Sequence, residues 1–356
     1  MRILQILHNH KAGGAENHLA ALSEGLRARG HEIEFAGAAS SRVAAMMGTA
    51  GFPVHDLDFR GHYDLPSLFR LVVLARRGRF DLIHTHLVRA ARYGRLAAAA
   101  SRTPLTCTVH DLLSWRHYPR RSRIIAVSDA VRRNLVDKGF DAGRIHVIHP
   151  GARDCSLGDG TAAARVEARA ELGLDDDTTA IGIIGRVAEV KAHDVALEAI
   201  GQLATLTARP FRLVIVGPLT GWGRELQARC TRPEVSWLGA RQDIPRLLAA
   251  IDICIQPSLS EGMPLALMEA ASAAKPVVAS KVGGVPEIIE DEHSGLLIPP
   301  RSAGELAAAL ARLIERPSEA RRFGECLHGR FASDFSLSVM VQRTEQHYRA
   351  MLQGDR

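Results

Sequence analysis

The sequence predicts an α/β protein of two doubly wound domains, and three observations carry that prediction. Short apolar runs alternate with amphipathic stretches through the first 150 residues, the pattern of strands interleaved with helices. A segment rich in Gly, Ala and Asp, residues 152–177, breaks the pattern, which then restarts. At 356 residues the chain is long enough for two domains of ordinary size, each with its own core.

In the first half, strands are expected at 3–8, 32–36, 82–85, 105–109, 124–127 and 145–148, where apolar and β-branched residues cluster. Helices are expected at 14–29, 67–77, 90–101 and 129–138. The segment 152–177 reads as the interdomain linker. In the second half strands are expected at 180–185, 212–217, 235–238, 251–255, 277–280 and 294–298, separated by helices at 195–207, 225–230, 244–250 and 265–274. Further helices run to the end. In such sheets ligands bind at the carboxyl ends of the strands.

The most informative stretch is Gln256-Pro257-Ser258-Leu259-Ser260-Glu261-Gly262-Met263-Pro264-Leu265, continuing to Glu269. It follows a buried strand, and Gly262 and Pro264 punctuate the chain before a helix. Pro264 suits the first helical position. A helix start presents free N–H groups and a positive dipole end, which favours an anion. Glu269, eight residues after Glu261, lies deeper along the helix, so two carboxylates and an anion site share one region. A ligand with a diphosphate between two hydroxyl-rich ends, such as a nucleotide-sugar, suits that arrangement.

A second basic site is Gly185-Arg186-Val187-Ala188-Glu189-Val190-Lys191-Ala192. Two cations at a strand end are costly unless they face water or an anion, and here they could hold a leaving diphosphate. Gly13 and Gly14, in Lys11-Ala12-Gly13-Gly14-Ala15-Glu16, follow the first strand and open a helix, where the backbone can approach phosphate. The spacing matches neither a dinucleotide fingerprint nor a phosphate-binding lysine loop. His110 ends a strand. His84 and His86 share one face of another, and with no third ligand in sight no metal site is expected. Asp56-Leu57-Asp58 imitates a metal motif in a loop context that makes coincidence the better explanation. Arg116, Arg120, Arg121 and Arg123 make a dense basic loop after His110.

Taken jointly, Glu261-x7-Glu269, Lys275-Pro276-Val277-Val278-Ala279-Ser280 and Gly283-Gly284-Val285-Pro286-Glu287 resemble the donor site of the family 4 retaining glycosyltransferases. Arg186 and Lys191 resemble that family's G-R-x-x-x-x-K-G, with Ala192 where glycine is usual. The resemblance implies the GT-B fold: two Rossmann-like domains facing a cleft, at 1–158 for the acceptor and 159–339 for the donor. A last helix, within 340–356, would cross back to the first domain. It also implies sugar transfer from a nucleotide-sugar, a UDP-sugar being the expected donor, with no metal and no separate cofactor. By residue, it implies that Glu269 holds the ribose hydroxyls and Glu261 the donor sugar. Arg186 and Lys191 would neutralise the leaving diphosphate, with the backbone of Gly262, Met263 and Leu265. His110, Gly13 and Gly14 would complete the machinery.

Composition limits the partners. A net charge of +6 conceals 22 Lys and Arg against 12 Asp and Glu in residues 1–150 (+10), and 23 against 27 in the remainder (−4). The aromatic–basic interleaving of a nucleic-acid reader is absent, so a phosphorylated acceptor or an anionic membrane surface is expected instead. Arg120 and Arg121 are the expected acceptor contacts. No run approaches the ~18 apolar residues of a membrane span, and five scattered cysteines without a C-x-x-C pair fit a reducing cytoplasm. The expected setting is cytoplasmic, at the inner face of the membrane, in surface polysaccharide or glycolipid assembly. Two other readings stay open: a nucleotide-sugar epimerase on the same fold, and a non-catalytic protein binding a nucleotide-sugar or polyanion.

Overall fold

The computed structural model describes residues 1–9, 13–61 and 64–354; Lys11 and Ala12 of the glycine-rich loop lie outside the described residues. The chain folds as two compact units, Met1–Gly151 with Leu337–Arg356, and Ala152–Ser336. The first unit runs β1 (Arg2–Leu7), α1 (Gly14–Ala28), β2 (Glu32–Gly37), α2 (Arg42–Thr49), β3 (Val54–Asp56), α3 (Leu65–Gly78) and β4 (Leu82–His86). It continues with α4 (Val88–Ser101), β5 (Leu105–Val109), β6 (Arg123–Ala126), α5 (Asp129–Asp137) and β7 (Ile145–Val147). Its seven strands are all parallel, in the order β3-β2-β1-β4-β5-β6-β7.

The second unit runs α6 (Thr161–Glu171), β8 (Thr179–Ile184), α7 (His193–Leu203), β9 (Phe211–Val216), α8 (Gly221–Arg229) and β10 (Val235–Gly239). Next come α9 (Ile244–Ala250), β11 (Ile253–Gln256), α10 (Leu265–Ser272), β12 (Val277–Ser280), α11 (Val285–Ile288) and β13 (Leu296–Ile298). Helices α12 (Ala303–Glu315) and α13 (Pro317–Arg330) close this unit, and α14 (Leu337–Gly354) belongs to the first. Its sheet is also parallel, ordered β10-β9-β8-β11-β12-β13.

Both sheets are buried on two faces, which is why their strands read as apolar runs without alternation. In β1, Ile3 and Leu7 pack against Leu19, Leu22 and Leu26 of α1 and Tyr348 of α14. Leu4 and Ile6 face the opposite way, onto Leu71 of α3 and Tyr93 of α4. Helix α14 is fastened to the start of the chain by Glu345, whose carboxylate meets Arg29 at 2.6 Å and His31 at 3.0 Å. With Arg349 beside it as well, that carboxyl is held down at about 2. In the second unit Ile181 and Ile183 of β8 join Ala196, Ile200 and Leu203 of α7 and Leu306 and Leu310 of α12. Among the described residues no helix is long and apolar enough to cross a membrane.

The sequence-based elements are largely found, with instructive differences. The segment expected as a linker contains α6. Its Ala-rich centre is strongly helix-forming, and only its Gly- and Asp-rich flanks look like linker. The helix is anchored by Arg169, buried and 3.2 Å from Asp252, and by Arg165, 2.7 Å from the same carboxylate. Pro264 caps α10 and Leu265 takes the first helical position. The three-residue edge strand β3 and the helix α2 have no counterpart in the expectations: β3 is too short for periodicity to register, and α2 depends on a Ser41 cap, whose Oγ accepts from Ala44 N at 3.2 Å.

Ala192 adopts the left-handed conformation, φ 51° and ψ 49°, between the short turn Glu189–Lys191 and α7. That conformation costs a non-glycine residue ~1–2 kcal/mol, whereas glycine's extra freedom when unfolded returns ~0.4–1 kcal/mol. Ala192→Gly is therefore expected to stabilise the protein by roughly 0.5–1 kcal/mol. Denaturant unfolding of the two proteins checks this, and a less stable variant contradicts it.

Candidate active site

Strand order reverses at two places, where β1 lies between β2 and β4 and where β8 lies between β9 and β11. At such switch points neighbouring strands send their connections to opposite faces and leave a crevice at their carboxyl ends. In the second unit Arg186 and the Glu261 loop stand there; in the first, Gly13 and Gly14 follow β1, whereas His110, Arg120 and Arg121 follow β5, one strand beyond β4.

In the second unit, β8 delivers Gly185 and Arg186, and β11 delivers Gln256 and the loop carrying Glu261. Backbone passes closely here: a Cβ on Gly217, at the end of β9, would lie 1.9 Å from Gly185 O, so only glycine fits. Leu259 N donates to Val190 O at 2.8 Å and ties the two loops together. Glu261 is 7% exposed. Its Oε1 accepts from Lys191 Nζ at 2.6 Å, Gln256 Nε2 at 2.7 Å and Ser258 Oγ at 2.6 Å. One carboxylate oxygen thus carries a charge and two neutral donors, which locks the side chain and leaves Oε2 as the acceptor for anything arriving.

Lys191, expected to hold a leaving anion together with Arg186, directs one of its three N–H groups to Glu261, because a buried carboxylate needs a partner. Arg186 is exposed and, among the described residues, has no ion-pair partner. It is the cation at this strand end whose charge remains available. Gly262, Met263 and Pro264 are buried, and Leu265 starts α10, so the backbone leads into the free N–H groups of the first turn. Glu269 lies in the second turn, part-buried, and its carboxylate has no hydrogen-bond partner among the described residues. Burial pushes its carboxyl up to about 7. An unpaired carboxylate half-way to protonation is suited to accept hydrogen bonds from hydroxyl groups.

In the first unit Gly13 caps α1 and Gly14 begins it. His110 follows β5, and its Nε2 lies 3.1 Å from Nδ1 of His86. Burial pushes the His110 ring down to about 4, so it is neutral at physiological pH. Beside these residues opens a cavity of about 1190 Å³ lined by Arg89, Arg92, Arg95, Arg116, Arg120 and Arg121. Arg120 and Arg121 are exposed, and Arg89 donates to His8 Nε2 at 2.7 Å. Leu87, on its rim, adopts φ 66° and ψ 162°, a region that strains any residue with a side chain.

Sequence reading missed several of these groups. Gln256 and Ser258 stood inside the quoted stretch, and their spacing of two and three residues from Ser258 and Glu261 was the available signal. Arg92 and Arg95 stood on the helix expected at 90–101 and Arg89 just before it, at i, i+3 and i+6, a spacing that keeps them on neighbouring turns. Asp56 and Asp58 have local roles: Asp56 Oδ1 accepts from Ala39 N at 2.9 Å and Asp58 pairs with Arg60 at 2.9 Å.

Two family models match the chain: Glycosyltransferase Family 4 over residues 12–153 and Glycosyl transferases group 1 over residues 178–316. Among similar proteins, the D-inositol 3-phosphate glycosyltransferase of Mycobacterium sp. strain KMS is 28% identical over 301 residues, 73% of this chain and 67% of that protein. The protein of the same name from Nocardia farcinica is 29% identical over 361 residues, 88% and 79% of the two chains. Anabaena HepE, solved in complex with UDP and glucose, superposes with a TM-score of 0.85 at 24% identity, covering 98% of this chain and 100% of that one. A glycosyltransferase from Rickettsia africae superposes with a TM-score of 0.88 at 20% identity, covering 99% and 98%. These likenesses establish the GT-B fold, and with the two family matches the chain belongs to the family 4 glycosyltransferases, enzymes that use a nucleotide-sugar.

Proposed function

We propose that the protein transfers a sugar from a UDP-sugar to an anionic acceptor, with retention at the anomeric carbon and without a metal ion. The carrying observation is Glu261, pinned through Oε1 by Lys191, Gln256 and Ser258, with Oε2 left to receive a donor-sugar hydroxyl. Glu269 accepts from the ribose hydroxyls. Arg186 and the N–H groups of Gly262, Met263 and Leu265 take the diphosphate charge that would otherwise call for a metal cation. Anabaena HepE, solved with UDP-glucose, supports the choice of uridine.

In the proposed step the bond from the anomeric carbon to the diphosphate breaks, and its electron pair leaves on phosphate oxygen. The acceptor hydroxyl oxygen bonds the same face of that carbon, and its proton passes to the departing phosphate. Arg186 stabilises the charge as it develops. His110, Gly13 and Gly14 are assigned to the reaction by the resemblance of their motifs to the family's. The acceptor is assigned to the arginine-lined cavity, whose charge suits a phosphorylated saccharide or a lipid diphosphate. Relatives named for inositol 3-phosphate support a phosphorylated acceptor. Surface polysaccharide or glycolipid assembly at the inner membrane face is the proposed setting, and the basic first half supports it.

Binding and hydrolysis measured across UDP-, GDP- and ADP-sugars in EDTA test this reading. Turnover of one UDP-sugar is expected, reduced at least ~100-fold in kcat by Glu261→Gln and about tenfold by Ser258→Ala, the size of a lost hydrogen bond to a charged group. Failure to bind any nucleotide-sugar refutes the reading. For Glu269 the carboxyl titrates at about 7 in the free protein, and the ionised form is the one that binds. The donor Kd should therefore rise toward tenfold per pH unit as pH falls below about 7. Glu269→Gln should bind weakly with a flat profile, and a flat profile in the wild type contradicts the assignment. Replacing both Arg120 and Arg121 by Ala should raise the KM for a phosphorylated acceptor at least about tenfold while leaving donor hydrolysis unchanged; an unaltered KM removes them from the acceptor site.

A further inference from the structure

Four imidazoles line the face of the first sheet that α1 and α14 cover. His84 and His86 stand on β4, ring centres 4.1 Å apart. His84 is occupied: Nε2 lies 2.6 Å from Thr108 Oγ1 and Nδ1 lies 2.6 Å from Tyr348 OH. The other three, His18 of α1, His86 and His110, each offer a ring nitrogen, and those nitrogens lie within 4.8 Å of one another. The absence of a third ligand, inferred from the sequence for His84 and His86, is corrected here: His86 has two partners, from residues 68 positions before it and 24 after.

The geometry points to a transition-metal site at His18, His86 and His110, taking Zn²⁺ or a similar borderline ion with an open fourth position. With metal–nitrogen bonds of ~2.05 Å and about 1.1 Å from nitrogen to ring centre, three imidazoles on a tetrahedral ion place their ring centres about 5.2 Å apart. The observed separations are 5.1 Å for His18–His110, 5.4 Å for His86–His110 and 5.6 Å for His18–His86. The pair His86 Nδ1 and His110 Nε2, 3.1 Å apart, is close to the ~3.3 Å of two nitrogens on one such ion. His86 offers Nδ1 because its Nε2 is engaged by Gln5 Oε1 at 3.0 Å. An outer acceptor that fixes the tautomer is what a metal-bound histidine commonly has. His18 Nδ1 is buried without a hydrogen-bond partner among the described residues, a cost that an ion would remove. Three neutral imidazoles select zinc, copper or nickel over magnesium and calcium, which prefer oxygen. An occupied site locks the His110 ring and slows sugar transfer, a consequence that rests on the role proposed for His110, whereas the site itself does not.

Titration of the full-length protein with Co²⁺, a spectroscopic stand-in for Zn²⁺, tests the site. The wild type should take up one ion per chain with the visible absorption of a tetrahedral centre, and Zn²⁺ should displace it. His18→Gln should lose the band with its thermal melting unchanged, and Gln5→Ala should weaken binding about 10–100-fold. No tetrahedral band in the wild type, a band that survives His18→Gln, or one with thiolate charge-transfer character overturns the site. In kinetics, Zn²⁺ should lower kcat in the wild type and not in His18→Gln. If the spectra behave as described while Zn²⁺ leaves turnover unchanged, the metal site stands and the role proposed for His110 in sugar transfer falls.

Discussion

The candidate site of the second unit depends on where its parallel sheet changes direction. A parallel strand needs a crossover to reach its neighbour, and crossovers of one hand place successive strands on one side. When the chain returns to the first strand and continues on its other side, the connections part. Each unit does this once, at β1–β4 and at β8–β11. The loops that follow these strands have no helix directly above them and are free to carry polar groups.

Polar groups placed there must still be satisfied, and the structure does so with charge. Glu261 is buried deeply enough that an unpaired carboxylate would be expensive, and Lys191 from the neighbouring loop supplies the compensation at 2.6 Å. The same pairing keeps the carboxylate in one orientation, so stability and positioning come from one contact. Asp252 has the same logic without a ligand. It joins Arg165, Arg169 and the N–H of Ala180 at the foot of β8 and so docks α6 on its sheet. Glu269 is the exception, part-buried with its carboxylate unpaired among the described residues, and its carboxyl is raised to about 7.

Much of this was legible in the residues. Apolar runs of four to six residues marked the central strands because both faces of these sheets are covered, and the Gly–Pro punctuation marked the helix that follows Glu261. Local chemistry was also readable: Gly262, Arg186 and Glu269 stand where backbone direction follows directly from a strand ending and a helix beginning. The joint pattern from 261 to 287 narrowed the family beyond what any single residue could. The short elements β3 and α2 were not readable, since three strand residues have no period and one serine cap has many innocent uses.

The sequence by itself determined the alternation of elements and the family, because those follow from periodicity and from motifs contiguous in the chain. Tertiary structure alone decided how their charges are spent. Lys191 and Glu261 are 70 residues apart, and no spacing rule pairs them. Gln5, His18, His86 and His110 come from β1, α1, β4 and the loop after β5, and only the register of Gln5 against His84 and Leu7 against His86 brings them to one face. Electrostatic pairing and ligand geometry depend on distances across the sheet, which the order of residues along the chain does not contain.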